Sequence, residues 1–166
     1  MPGRRYSYEV NRVSTAPPPV LFRLESDGSL WSEWAKPIVW QSRWATRGDD
    51  GRVGAVREVG LWPVLARERT VEYEPDRRHA YTFEGPSPVR GYRAEVTFTP
   101  NADGGTDLRW TGSFEPRLPG TGELIRATLQ SVIGFLATQL VKAGNAAGAL
   151  DHNGQRNEGH RRHPLG

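Results

Sequence analysis

Cysteine is missing from all 166 residues, so the chain has no disulfide, no thiol nucleophile and no cysteine metal ligand. Lysine is nearly missing too: twenty of the twenty-two basic residues are arginine, and net charge is only +3. These arginines alternate with Asp and Glu and form no block, whereas a nucleic-acid footprint is clustered, so no nucleic-acid partner is expected. No apolar run approaches the roughly 20 residues that a bilayer crossing needs. The opening MPGRRYSYEV has two arginines but passes straight into alternation, without the apolar core of a signal peptide. Cytoplasmic residence is the expectation. Histidine is scarce, and of the four only His79 lies outside the last twenty-two residues. No Ser-His-Asp arrangement, phosphate-cradling glycine loop or metal-ligand spacing is present, and Gly54 stands between a loop and a strand, the wrong context for a dinucleotide fingerprint. No cofactor and no metal are expected.

What the chain does have is one long periodic segment, Thr121 to Lys142. Leu124, Ile125, Leu129, Val132, Ile133, Leu136 and Leu140 recur at three- and four-residue steps, which predicts an amphipathic helix. Their arc of roughly 180° is wider than the ~100° stripe of a helix on a flat partner, so a curved partner is expected. Thr121 is the expected N-cap, and Gly144 and Asn145 the expected stop. Thr128, Phe135 and Gln139 fall within the arc, either hydrogen-bonding locally at its flanks or facing an incompletely packed interior.

Upstream, Tyr6 to Val13 alternates as a strand. Pro17, Pro18 and Pro19 open a short helix through Val20, Leu21, Phe22 and Leu24, and LWSEWA, with Trp31 and Trp34 three apart, reads as a second. After Pro37 alternation persists for about eighty residues, punctuated by turns at GDDG (48–51), Gly60 to Pro63, Glu74-Pro75-Asp76, Gly85 to Pro88 and NADGG (101–105). Strands are expected at Ile38 to Trp44, Val53 to Val59, Val64 to Tyr73, His79 to Phe83, Tyr92 to Thr99 and Leu108 to Phe114. Short connections make the sheet an antiparallel meander. The fold class is therefore α+β: seven antiparallel strands in a curved sheet gripping a long C-terminal helix, with two short helices after the first strand. One domain, 1–144, is expected; the Gly-, Asn-, His- and Arg-rich tail, 145–166, has too little to bury and is expected to be disordered.

This order of elements resembles the START-like helix-grip superfamily, and more closely its bacterial polyketide cyclase/dehydrase and lipid-transport branch. The resemblance rests on Ala16 to Phe22, Trp31 to Trp34, Val53 to Arg57, Val71 to Arg78 and Gly104 to Trp110, and it covers roughly residues 6–143. It implies a cavity between sheet and helix that holds lipids, polyketides or other apolar molecules. None of the matching stretches is a catalytic signature, and such folds host enzymes, carriers, stress regulators and ribosome-associated toxins.

Six Trp, five Tyr and five Phe suit an aromatic-lined pocket of several hundred Å³. If the Gly60 to Pro63 turn is centred between Trp62 and Pro63, Arg57 stands across from Glu68. Arg57 is then either half of a salt bridge at the rim, or a buried cation that orients an anionic ligand group with Glu68 steering it. A bulge between Arg67 and Glu72 would slip the register by one. His79 is the one side chain of the folded part suited to near-neutral acid–base work. The expected ligand-binding residues are Trp34, Trp44, Arg57, Val59, Glu68, Tyr81, Phe83, Tyr92, Trp110, Thr128, Leu129, Phe135 and Gln139. The expected function is binding or transport of a hydrophobic small molecule by a monomer or homodimer. Two alternatives stand beside it: a cyclase, aromatase or dehydratase in which Arg57, Glu68, Tyr81 or Tyr92 polarises a carbonyl or moves a proton, and a toxin-like protein that acts on ribosomes.

Overall fold

The computed structural model describes residues 3–48 and 52–159. Strand β1 (Tyr6–Ser14) leads into two short helices, α1 (Pro18–Ser26) and α2 (Trp31–Trp34). Strands β2 (Gln41–Thr46), β3 (Val56–Leu61), β4 (Val64–Glu74), β5 (Arg78–Glu84), β6 (Val89–Pro100) and β7 (Thr106–Pro116) follow, and helix α3 (Gly122–Gly159) ends the described chain. The strands form one antiparallel sheet in the order β1-β7-β6-β5-β4-β3-β2. This is the α+β helix-grip arrangement expected from the sequence: a curved sheet, a long C-terminal helix and two short helices after the first strand.

Strand directions alternate, so the α2–β2, β3–β4, β5–β6 and β7–α3 connections gather at one end of the sheet, and the β1–α1, β2–β3, β4–β5 and β6–β7 connections at the opposite end. α3 runs alongside β1, with Gln130 Nε2 donating to Glu9 O and Arg12 Nη2 donating to Gly134 O. Contrary to the expectation that no segment is apolar enough for a bilayer crossing, its stretch Gly122–Asp151 is so by length and composition; Ile133, Leu136, Ala137 and Leu140 are buried against the sheet, making it the core helix.

Three local expectations are corrected. β2 begins at Gln41, not Ile38, because Val39 N–H donates back to Ala35 O and holds 35–39 in turns. The Thr121 hydroxyl donates to Leu118 O at 2.7 Å, so it does not cap the helix. The Gly144-Asn145 pair does not stop α3, which continues to Gly159 through residues expected to be disordered. Residues 160–166, with His160 and His163, lie outside the described residues, as do 49–51 of the expected GDDG turn and the side chain of His152.

The pair docks the helix. A Cβ on Gly144 would stand 2.2 Å from Leu21 Cδ2, and Asn145 Oδ1 accepts from Ser14 Oγ at 2.7 Å and Thr15 N–H at 3.1 Å. Gly144→Ala tests which effect wins. Helix propensity favours alanine by about 1 kcal/mol, whereas overpacking costs about 1–3 kcal/mol. Leu21 is fully buried, so a net loss of about 1–2 kcal/mol is expected in urea unfolding. A gain in stability would show that Leu21 yields freely.

Candidate functional site

On α1 the side chains that turn inward include Pro18, Leu21, Phe22 and Glu25, so a carboxylate shares the apolar stripe of this helix. Glu25 reaches a buried ionic cluster built from the sheet. β3 and β4 pair with Leu61 opposite Val64, which sets Arg57 across from Glu68. The bulge in the β4–β5 pairing falls between Thr70 and Glu72, beyond that pair, and leaves its register intact.

Arg57 Nε donates to Glu68 Oε2 at 2.7 Å, Nη2 donates to Glu25 Oε1 at 3.0 Å, and Nη1 donates to the backbone oxygen of Glu25. Its guanidinium carbon stands 4.3 Å from the centre of the Trp31 ring and 4.8 Å from that of Tyr81. His79 Nδ1 donates to Glu25 Oε2 at 2.8 Å, while Nε2 is 3.0 Å from Thr70 Oγ1. Arg57 is thus a buried cation and not a rim salt bridge, with only 1% of its surface exposed.

Their neighbours set the two buried carboxyls apart. For Glu25 burial pushes the pKa up, but His79 and Arg57 together outweigh it and hold the pKa below 4.5. Glu68 faces the same burial with Arg57 as its main counterion, and its pKa is raised above 4.5. Burial would lower the pKa of Arg57, but Glu68 and Glu25 more than reverse this, so it stays charged. Glu25 is the permanent anion of the cluster; Glu68 is the carboxyl that takes up a proton more readily.

Beyond the cluster lies a group of phenols. The Tyr81 hydroxyl accepts from Trp110 Nε1 at 3.2 Å, and the hydroxyls of Tyr8 and Tyr92 are 2.6 Å apart. Burial raises the pKa of Tyr8, Tyr81 and Tyr92 above 10.0, so all three keep their protons. Among the described residues the Tyr81 proton has no acceptor, and a single bond joins Tyr8 and Tyr92, which uses only one of their two protons. Two buried O–H donors therefore remain unspent. Phe83 stacks on Tyr92 with ring centres 3.8 Å apart, and Phe83, Ala66, Ile38, Ile125, Leu129 and Val132 pack on the same core while staying half-buried.

The expected site residues divide accordingly. Arg57, Glu68, Tyr81 and Trp110 lie together in the buried interior; Trp34, Val59, Phe83, Tyr92 and Leu129 belong to the surrounding core cluster. Thr128 and Phe135 are exposed on the outer side of α3, where the Thr128 hydroxyl donates to Leu124 O, so neither faces the interior. Gln139 Nε2 donates to Lys36 O and ties α3 to the loop after α2. Trp44 stands opposite Arg57 in the β2–β3 pairing but lines an open cleft of about 590 Å³ with Phe22 and Tyr73. The centre of the molecule is filled by rings: Trp31, Trp110, Tyr81, Phe98 and Phe114 are almost wholly buried. Glu25, Thr70 and Tyr8 were not among the expected site residues. For Glu25 the signal was present, since it follows Leu21 and Phe22 at four and three residues. Among the described residues no three His, Asp or Glu side chains are arranged to hold a metal ion.

Many solved structures share the fold, among them the following three. An uncharacterised protein of Bacillus thuringiensis superposes with a TM-score of 0.68 at 16% identity, covering 84% of this chain and 98% of its own. Ara h 8.0201 gives 0.64 at 18%, again covering 84% and 98%. A protein of Nitrosospira multiformis gives 0.62 at 22%, covering 81% and 96%. At such identities these likenesses establish the fold alone. No curated protein sequence matches the chain. The family model described as polyketide cyclase/dehydrase and lipid transport matches residues 5–144, which contain the whole sheet, the ionic cluster and the three buried phenols. The chain belongs to the polyketide cyclase/dehydrase and lipid transport family.

Proposed function

We propose that this protein binds a hydrophobic small molecule bearing a hydrogen-bond acceptor, such as a lipid or a polyketide-like aromatic, between the N-terminal half of α3 and the inner face of β3–β6. The two unspent phenol donors carry the reading. Leaving a polar group unpaired in an apolar setting costs about 1–3 kcal/mol, and a carbonyl or phenol oxygen of a ligand would accept from Tyr81 and from Tyr8 or Tyr92. The half-buried Phe83, Leu129 and Val132 would cover the apolar part of the ligand, with Trp34 and Val59 behind them. The charge of Arg57 is met by Glu25 and Glu68, so in this reading it orients Glu68 and does not itself grip a ligand anion.

Native mass spectrometry against a panel of lipids and flavonoids tests this. Leu129→Gln is expected to weaken a bound member about tenfold, as removal of about 1.5 kcal/mol of apolar burial implies. Tyr81→Phe is expected to weaken it about fivefold by deleting one hydrogen bond. If no panel member binds, or if binding ignores both variants, the reading is lost.

The raised pKa of Glu68 favours a second reading, a cyclase or dehydratase in which protonated Glu68 hands a proton to a ketide carbonyl. Turnover of a poly-β-ketone analogue that survives Glu68→Gln unchanged would dismiss that role.

A further inference from the structure

At the end of the sheet where the β3–β4, β5–β6 and β7–α3 connections meet, large apolar side chains point into solvent. The β3–β4 hairpin carries Leu61, Trp62 and Val64 at its tip, with Trp62 71% and Val64 78% exposed. β5 pairs with β4 only from Arg67 onward, so this tip projects past its neighbour. Trp40, also exposed, is tied to the hairpin by its N–H bond to Gly60 O, and it lines a cleft of about 520 Å³ together with Trp62. Beyond the β5–β6 turn, Leu118 and Leu124 are exposed in the same way. Arg117 joins these two connections, its Nε donating to Ser87 O. Water-exposed apolar tips on adjacent turns mark a surface made to meet something.

The charges around them say what. Lys36 lies over the Trp40 ring at 4.9 Å, and Lys36, Arg90 and Arg117 are exposed with no carboxylate partner among the described residues. The acids nearby are neutralised: Glu84 pairs with Arg67 and Arg69, Glu115 with Arg5, and Glu123 with Arg126. Glu33 on α2 is, among the described residues, the one unpaired acid close to the patch. Tryptophan favours the boundary between water and acyl chains, aliphatic tips insert below it, and flanking cations are drawn to anionic headgroups. We infer that this end of the molecule is a docking surface for an anionic lipid bilayer, with Trp62 and Val64 inserted and Lys36, Arg90 and Arg117 against the headgroups. The inference goes beyond the ligand proposed above and stands whatever fills the interior.

The experiment is co-sedimentation of the full chain with vesicles of phosphatidylcholine, alone or mixed with phosphatidylglycerol, together with the emission wavelength of the tryptophans. Binding to the mixed vesicles is expected, with a blue shift and loss at high salt. The Trp62→Ser/Val64→Ser variant is expected to bind about tenfold more weakly, and Lys36→Gln and Arg90→Gln about fivefold each. These side chains are exposed, so the variants should keep the wild-type urea midpoint and the affinity for any soluble ligand found by mass spectrometry. That separates failure here from failure of the ligand reading. Vesicle binding that is absent, equal on both compositions or unchanged in the Trp62→Ser/Val64→Ser variant would overturn the inference. So would a concentration-dependent dimer that this variant abolishes in the absence of lipid, since the patch would then receive a second copy of the chain.

Discussion

Arg57→Met is expected to lower unfolding free energy by about 3–5 kcal/mol, enough to bring a domain of ordinary stability close to its threshold. Methionine keeps much of the volume between Trp31 and Tyr81, so the loss is electrostatic and not a cavity. The variant deletes the cation beside Glu68 and one of the two side chains that donate to Glu25, which still holds His79. Adding Glu68→Leu removes the carboxylate that Arg57→Met strands, so the double variant should recover more than half of the loss. Urea unfolding of the two single variants and the double variant forms the cycle that measures this coupling. Simple additivity of the two single losses would mean that Arg57 and Glu68 are not coupled, contrary to their 2.7 Å contact. A double variant near wild-type stability that no longer binds its ligand would mean that the cluster is kept for binding and not for folding.

The meander was legible because its evidence is local. Turn residues at regular intervals and alternation over eighty residues imply hairpins, and hairpins joined in sequence imply the neighbour order from β2 to β7. The Arg57–Glu68 pairing was legible for the same reason, since it follows from the centre of one turn. The end of α3 was misread because Gly and Asn act as stops only when the backbone leaves the helix. At 144 and 145 a tertiary contact needed a missing side chain and an amide oxygen, and sequence periodicity carries no information about Leu21 or Ser14.

The site was half legible. The turn centre placed Glu68 opposite Arg57, but nothing in the sequence reading singled out Glu25 at the end of a short helix. Its spacing from Leu21 and Phe22 would have marked it as inward-facing. The aromatic content was read as the lining of a hollow. Rings also pack on rings, and the Trp31–Trp110 and Phe22–Phe98 edge contacts take up the middle of the molecule. Which of these outcomes a tryptophan meets depends on side chains brought together from distant elements, and composition is silent on that.

The two buried glutamates should respond oppositely to pH. Glu25 serves both Arg57 and His79, so Glu25→Gln is expected to cost about 3–5 kcal/mol at neutral pH, and Glu68→Gln clearly less. The pKa of Glu25 is held below 4.5 in the folded chain, so its contribution is present above that value and is lost as pH falls through the folded pKa. The gap between wild type and Glu25→Gln should therefore narrow on acidification. Glu68 is raised, so the folded chain binds its proton more tightly than the unfolded one. Its contribution is present below 4.5 and is lost as pH rises through the folded pKa. The gap between wild type and Glu68→Gln should accordingly narrow as pH climbs from the acid side toward neutrality. Urea unfolding of all three proteins across that range gives both slopes, and taking differences cancels the titration of every other group. Slopes of the same sign would mean that the two carboxyls share one environment, and Glu68 would lose its distinction as the carboxyl able to offer a proton to a ligand.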